Sequence, residues 1–260
     1  MEKHGKHRAL VMPRRPRAGM RAVVRAVVRA GALALVPMLA ALPGAASAQS
    51  CRQSLVLGLD VSGSVDDREY RQQLDGLAAA LDSPPVRAAL LQSPGVPVAL
   101  AVFEWSGHAA QRLVADWALI DSAPALDQFT ATLRSTARQP MPRTTALGEA
   151  MRHGAQMLAR GPACVTRTID ISGDGRSNDG PRPEDVASDP LLSGVIVNAL
   201  VIGAGGRESR DLEAYFRARV RHGPGAFVEL ADGFDDYRRA MELKLLRELQ
   251  GLSLSVLRQP

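Results

Sequence analysis

The 260-residue sequence is poor in aromatic side chains, in cysteines and in long apolar runs. Five Phe, two Trp and three Tyr make up 4% of the chain, so few side chains could stack on nucleic-acid bases. The apolar stretch near the N-terminus, residues 31–42, is shorter than the roughly 20 residues that a membrane-spanning helix needs, and it contains Pro37. The scarcity of aromatic residues argues against a nucleic-acid-binding protein. The short apolar run argues against a transmembrane segment, and a membrane anchor is the alternative interpretation of this N-terminal stretch.

The N-terminal segment has the pattern of a signal peptide. Residues 1–30 are rich in Arg and Lys, an apolar stretch follows, and a run of small residues ends at Ala48. We therefore predict that residues 1–48 are a signal peptide cleaved after Ala48, and that the mature chain is periplasmic or secreted. Translation from Met20 would give a leader of more ordinary length, and the sequence leaves the choice between Met1 and Met20 open.

The predicted leader carries the positive charge of the chain. The full sequence has a net charge of +5, but the leader holds 9 of the 32 basic and 1 of the 27 acidic residues, so residues 49–260 carry a charge of −3. A basic balance that would favour nucleic acid as a partner therefore does not survive maturation. The remaining length suits one substantial core and is short for two, so residues 49–260 are predicted to form a single domain.

Strand-like apolar runs alternate with helix-like amphipathic runs from residue 55 onward, which is typical of a mainly parallel sheet covered by helices. The run Leu55–Leu59 is apolar without alternation, as expected for a central strand buried on both faces. Segments rich in Pro, Gly and Ser at 83–97, 139–145 and 173–190 are predicted loops. The predicted strands are 55–60, 97–105, 111–117, 167–172, 195–202 and 226–230. The predicted helices are 66–82, 122–136, 146–159, 208–219 and 234–249.

Oxygen-bearing side chains follow the first of these strands directly. Asp60, Ser62 and Ser64 occupy alternate positions, and Gly63 allows a tight turn between the two hydroxyls. Open α/β sheets place their ligands at the carboxyl ends of the strands, which is where these groups emerge. Hard oxygen donors suit Mg²⁺, Mn²⁺ or Ca²⁺ and disfavour copper or a thiolate-type zinc site.

Two further segments offer oxygen ligands at comparable positions. Asp174 follows the strand-like run at 167–172, so its loop would neighbour the first if the two strands are adjacent. Thr145 precedes an amphipathic helix. The alternative for Thr144 or Thr145 is an ordinary N-cap, with Glu149 in the first turns interacting with the helix dipole.

Taken in order, these segments resemble the metal-ion-dependent adhesion site (MIDAS) of von Willebrand factor type A (vWA) domains, which pairs D-x-S-x-S with a loop threonine and an aspartate after the fourth strand. The resemblance implies that five residues hold one divalent cation, and that Thr144 stands where the motif usually has Gly. It also implies an α/β Rossmann-like fold with a mainly parallel sheet in the order 3-2-1-4-5-6 and helices on both faces. The sequence is similar as well to an uncharacterised bacterial group of exported vWA-like proteins. The implied ligands are Asp60, Ser62, Ser64, Thr145 and Asp174.

The resemblance implies a binding module and not an enzyme. In vWA domains the cation, here Mg²⁺ most of all, keeps one position open for an Asp or Glu of a protein partner. The alternatives are a metal-assisted hydrolase or phosphatase and a metal-free scaffold subunit. Ser62 replaces the second aspartate of the D-x-D motif of haloacid-dehalogenase phosphatases, and neither Ser62 nor Ser64 lies in G-x-S-x-G. Three histidines, His108, His153 and His222, lack an evident partner and are predicted surface or packing residues.

Cys51 and Cys164 are the two cysteines of the chain. In an oxidising compartment an even count usually means a disulfide, with two separate thiols as the alternative. The strand order that the resemblance implies makes the first and fourth strands neighbours. Both cysteines would then lie at the strand ends opposite the metal site, which makes a bridge between them geometrically reasonable.

The sequence supports further expectations for the end of the second strand, for one acidic residue in the fourth strand and for the loop after Asp174. Glu104 and Trp105 end the second strand on the side of the predicted site and are candidates for contacting a partner, with packing as the alternative for Trp105. Asp170 lies within a predicted buried strand, so it must be paired or lie near the strand edge. Residues 177–179 are expected to shape the rim of the site.

Overall fold

The computed structural model describes residues 51–93 and 95–256. The predicted signal peptide, residues 1–48, lies outside the described residues. Within the described part of the chain, no helix is long and apolar enough to cross a membrane.

Six strands form one sheet in the order β3-β2-β1-β4-β5-β6, which confirms the predicted order. Every neighbouring pair is parallel except β2 and β3, which are antiparallel. The strands are β1 (Cys51–Asp60), β2 (Val98–Trp105), β3 (Gln111–Ile120), β4 (Cys164–Gly173), β5 (Val195–Ile202) and β6 (Val228–Ala231).

Helices cover both faces of the sheet, as the resemblance implies. On one face α1, α2, α3 and α7 pack against alternate strand residues such as Leu55, Leu57 and Leu59. On the other face α4, α5 and α6 pack against the residues between them, such as Val56. The helices are α1 (Asp67–Leu81), α2 (Pro84–Leu91), α3 (Ala123–Ser135), α4 (Leu147–Arg160), α5 (Pro183–Val186), α6 (Gly206–Arg219) and α7 (Tyr237–Val256).

Two of these helices lie in segments that the sequence pattern predicts as loops. Helix α2 lies within 83–97, and the four-residue α5 lies within 173–190. Prolines suggested the loops, yet in both helices proline occupies the first turn, where its missing N–H costs no hydrogen bond. In α2 the side chains of Val86 and Leu90, four residues apart, are buried in the core and hold the helix in place.

Strand β1 is the middle of the sheet and every one of its residues is buried. Its first residue, Cys51, lies opposite Cys164 in the register with β4, and the two form a disulfide across a Cα–Cα distance of 4.7 Å. The predicted bridge is therefore confirmed. It joins β1 and β4 at the ends remote from Asp60 and Asp174.

A buried charge cluster links β4 to the C-terminal helix. The Nζ atom of Lys244 on α7 lies 2.5 Å from Oδ2 of Asp170 and 2.7 Å from Oε1 of Glu248. The exposed fraction of the Lys244 side chain is 0% and that of Asp170 is 1%, so the contacts are shielded from water. Asp170 is thus paired within the core, which was one of the two expectations for it.

Candidate metal centre

The five predicted ligands converge on the carboxyl edge of the sheet. Asp60 is the last residue of β1, and Asp174 directly follows the last residue of β4. Strands β1 and β4 are hydrogen-bonded neighbours, so their carboxyl ends lie side by side. Ser62 and Ser64 lie in the turn after β1, and Thr145 comes from the loop before α4. Three separate segments therefore supply the oxygen atoms of one site.

A chain of hydrogen bonds runs through these side chains. The hydroxyl of Thr145 donates to Oγ of Ser62 at 3.2 Å, and the Oγ atoms of Ser62 and Ser64 are 3.2 Å apart. The hydroxyl of Ser64 donates to Oδ1 of Asp174 at 2.8 Å. The backbone N–H of Ser62 donates to Oδ1 of Asp60 at 2.8 Å, so all five residues are linked.

Two hydrogen bonds between Gly63 and Arg143 hold the turn after β1 in place. The N–H of Gly63 donates to the carbonyl of Arg143 at 3.0 Å, and the Arg143 guanidinium donates to the carbonyl of Gly63 at 3.2 Å. A Cβ on Gly63 would come within 2.7 Å of Cβ of Arg143, so only glycine allows this approach. After the turn, Asp66 and Glu69 form a reciprocal capping box that starts α1.

Thr145 is not the N-cap of α4, so that alternative is wrong. Ala146 occupies the N-cap position and has no side-chain cap. The helix N–H of Leu147 instead donates to Oγ of Ser177 at 3.2 Å, and the N–H of Thr145 donates to Oδ1 of Asn178 at 2.9 Å. The hydroxyl of Thr145 is therefore free of capping and faces Ser62, while the loop after β4 satisfies the backbone around it.

Asp179 fixes the neighbouring part of the same loop. Its Oδ2 accepts from the hydroxyl of Thr144 at 2.8 Å and from the N–H of His108 at 3.0 Å, and its Oδ1 lies 3.0 Å from Nδ1 of His108. These bonds, led by the one from the His108 backbone, lower the pKa of Asp179 below its usual range. His108 is a surface residue as predicted, but it has a partner that sequence reasoning missed because the two lie 71 positions apart.

The two carboxylates of the site have no cationic side chain paired with them among the described residues. Asp60 is fully buried, and its Oδ2 atom has no hydrogen-bond partner in the described part of the structure. Burial, followed by the charge of Asp174, raises the pKa of Asp60 to about 7. Burial also raises the pKa of Asp174. Two carboxylates so close together, one fully buried and one half-buried, are stabilised by a cation, and the unpartnered Oδ2 of Asp60 fits an incoming cation or its bound water.

The family model described as "Protein of unknown function (DUF1194)" matches residues 50–253. The chain belongs to this family. A search of curated proteins gave no match for the DUF1194 chain.

Solved structures of vWA-like fold resemble the DUF1194 chain at low sequence identity. Proximal thread matrix protein 1 (PTMP1) from the mussel byssus matches with a TM-score of 0.57 and 18% identity, covering 77% of this chain and 48% of that one. A second PTMP1 structure, described as having a zinc-occupied MIDAS motif, matches with a TM-score of 0.53 and 16% identity, covering 77% and 46%. The pilus adhesin SpaC from Lactobacillus rhamnosus GG matches with a TM-score of 0.51 and 14% identity, covering 78% and 30%. The DUF1194 chain thus spans about half of PTMP1 and under a third of SpaC, and these likenesses show the fold alone.

The expectation that Glu104 of the DUF1194 chain contacts a partner is wrong. Its side chain is 1% exposed, its Oε2 lies 2.6 Å from the guanidinium of Arg112 on β3, and its Oε1 accepts from the Tyr70 hydroxyl at 2.7 Å. Side chains alternate across a strand, so Glu104 faces α1 and is already satisfied. Trp105 is fully buried, which confirms the packing alternative.

Proposed function

We propose that the mature chain is an exported vWA-like module that binds one divalent cation at this site and, through the cation, an acidic side chain of a protein partner. Mg²⁺ is the preferred ion in this proposal, with Mn²⁺ and Ca²⁺ as the other candidates. Asp60, Ser62, Ser64, Thr145 and Asp174 are its proposed protein ligands.

The observation that carries the proposal is the uncompensated pair of carboxylates beside a hydrogen-bonded row of hydroxyls. Asp60 and Asp174 have no cationic partner among the described residues, while Ser62, Ser64 and Thr145 offer neutral oxygens beside them. Mg²⁺ prefers oxygen ligands and tends to be held by one or two carboxylates together with waters. With two acidic ligands from the chain, the bound cation would stay attractive to a further carboxylate.

The likeness to other proteins supports the same reading. One PTMP1 structure is described as having a zinc-occupied MIDAS motif, and SpaC is described as a pilus adhesin. We carry over to this chain only the idea of a cation at the equivalent edge of the fold and an extracytoplasmic protein partner. The predicted signal peptide and the Cys51–Cys164 disulfide fit an oxidising compartment outside the cytoplasm.

Isothermal titration of Mg²⁺, Mn²⁺ and Ca²⁺ into the chelator-stripped protein tests the cation site. We expect one ion per chain, and loss of that binding in Asp60→Asn and Asp174→Asn, which keep the size of the side chain. Asp116→Asn is the matched control, because Asp116 is exposed on the remote strand β3. Binding that is equal in all three variants would overturn the site.

Acetate serves as the smallest probe of the open position. Because coupled binding equilibria are reciprocal, a carboxylate that completes the metal site must raise the apparent affinity for the cation. We expect acetate to do so in the wild type, and chloride at equal ionic strength to have no such effect. Cation binding that is indifferent to acetate would contradict the partner half of the proposal while leaving the cation site in place.

A further inference from the structure

A large cavity begins at the proposed cation site and extends toward β6. It has a volume of about 940 Å³, and Asp174 is one of the residues that line it. Its other walls come from the first turns of α1 and α6, with Arg68 and Arg207, and from the segment after β6, with Phe234. A protein segment that delivers a carboxylate to the cation therefore has this cavity beside it.

The register of the sheet shows how far the cavity is from a carboxylate bound at the cation. Gly173 pairs with Val201, so Asp174 lies level with Ile202, the last residue of β5, and β6 is the next strand in the sheet. Neighbouring strands are about 4.8 Å apart, so the ends of β5 and β6 lie roughly 5 and 10 Å from the end of β4. In an extended peptide, side chains two residues apart point the same way at a spacing of roughly 7 Å. A side chain two residues from the bound acid thus reaches the cavity.

The charged groups of the cavity nearly balance one another. Arg68, Arg176 and Arg207 line it together with four acidic side chains other than Asp174. One of the four, Asp211, lies 3.8 Å from the guanidinium of Arg207. The cavity therefore adds no strong preference for a second charge of either sign.

The uncharged part of the cavity wall is apolar. Phe234 is partly exposed and Ala204 is exposed, while Leu212 and Ile202 are 9% and 3% exposed. A leucine-sized side chain that is buried against such a wall loses contact with water, which favours binding. An apolar side chain is thus the group that this cavity suits best.

We propose that the cavity receives the stretch of the protein partner next to its acidic residue, and that this stretch is an extended segment with a large apolar side chain two residues from the acid. The acid binds the cation, and the apolar side chain packs against Phe234 and Ala204. The inference rests on the proposed function, because the cation must hold the acid before the neighbouring side chain can enter the cavity.

Three peptides, blocked at both ends, test this assignment on the Mg²⁺-loaded protein. Their sequences are Leu-Gly-Asp-Gly-Leu, Gly-Gly-Asp-Gly-Gly and Leu-Gly-Asn-Gly-Leu, so that the leucines serve either direction of the peptide chain. NMR titration of the ¹⁵N-labelled protein measures weak affinities of this kind. We expect the first peptide to bind about tenfold more tightly than each of the other two, because it alone brings both the carboxylate and the apolar side chains. A chelator should remove the binding of both Asp peptides.

Two variants connect the effect of leucine to the cavity. Ala204→Trp fills the cavity from an exposed position, and Phe234→Ala removes part of its apolar wall. Each should reduce the advantage of the leucine peptide over the glycine peptide to about threefold or less, while circular dichroism verifies the fold. Ala131→Trp is the control that should keep the full advantage, because Ala131 is exposed on α3, which packs on β3 at the far edge of the sheet.

The possible outcomes separate this inference from the proposed function. Equal binding of the two Asp peptides, equal binding of the Asn peptide and its Asp counterpart, or a full leucine advantage in both folded cavity variants would overturn the inference alone. If neither Asp peptide binds, or if the chelator leaves their binding unchanged, the inference fails together with the partner half of the proposed function.

Discussion

Asp170 is a carboxylate buried among charged and polar neighbours from α7. The Nζ atom of Lys244 contacts both Asp170 and Glu248, and the charge of Asp170 acts on the nearby Tyr237 hydroxyl. Burial, opposed by Lys244 and reinforced by Glu248, raises the pKa of Asp170 to about 7, compared with about 3.9 for an unfolded aspartate. Between those two values the folded chain holds a proton that the unfolded chain has lost.

This shift predicts a pH dependence with a definite sign. The contribution of Asp170 to the free energy of unfolding is largest below about pH 4 and declines as the pH rises through about 7. We expect wild type to lose stability relative to Asp170→Asn across that window, because asparagine does not titrate. In the wild type the pKa of Lys244 is raised above its usual value by Asp170 and Glu248 against the effect of burial, so Lys244 itself titrates above this window. Urea unfolding of both proteins near pH 5 and near pH 8 measures the effect, and a difference that stays constant would refute it.

Asp179 is predicted to position the Thr145 loop without binding the cation itself. Removing its carboxylate in Asp179→Ala frees Thr144 and His108, so the hydroxyl of Thr145 is less well placed. Loss of such an outer partner typically lowers metal affinity roughly tenfold to a hundredfold. Calorimetric titration with Mg²⁺ measures the change. Asp185→Ala is the control, because among the described residues the carboxylate of Asp185 pairs only with Arg182, the N-cap of α5.

Helix α4 depends on a glycine for its approach to the loop that carries α5. A Cβ on Gly148 would lie 2.2 Å from the carbonyl oxygen of Pro181, which is a backbone atom that cannot move aside on its own. We expect Gly148→Ala to lower the free energy of unfolding by about 1 to 3 kcal/mol, despite the better helix propensity of alanine. Chemical denaturation compares it with Gly95→Ala, where a Cβ meets no atom within 4 Å and little change is expected.

The helices and strands differ in how well the sequence predicts them, and the differences have local causes. The sequence pattern predicts all six strands, and it does so most clearly for short, continuous apolar runs that are bounded by turns, such as Leu55–Leu59. The predicted strands leave out the cysteine ends of β1 and β4, because Gln53 and Thr166 interrupt the apolar pattern there. The sequence pattern does not predict helix α2, because proline at the start of a short helix looks the same in sequence as proline in a loop.

Four of the proposed ligands could be predicted because each lies in a short motif directly after a strand, and Thr145 could be predicted because it lies directly before a helix. Contacts between distant segments could not. Glu104 meets Arg112 only through the antiparallel pairing of β2 and β3, and Asp179 meets His108 only because the loops after β2 and β4 share an edge of the sheet. The buried Lys244 cluster depends likewise on how α7 packs across β4. Polar side chains in these positions carry no sequence signal that separates a buried partner from an exposed one.

The disulfide lies at the end of the sheet remote from the proposed cation site, so its contribution to stability can be tested separately from cation binding. Cys51 and Cys164 close a separation of 113 residues at the end of β1 and β4 remote from Asp60 and Asp174. Closing a loop of that length stabilises a protein by about 4 to 5 kcal/mol in the chain-entropy model. The double variant Cys51→Ser/Cys164→Ser should therefore unfold at lower denaturant concentration than the oxidised wild type.

Cation binding should nevertheless survive in that variant while it is folded. The carboxyl ends of β1 and β4 are held by their own ladder hydrogen bonds and by the contact of Gly63 with Arg143, neither of which involves the bridge. Titration with Mg²⁺ well below the unfolding transition should give an affinity within about threefold of wild type, a difference of under 1 kcal/mol. A large loss of affinity would show that order at the cation site depends on the far end of the strands. The local capping and turn contacts would then be insufficient to position Asp60 and Asp174.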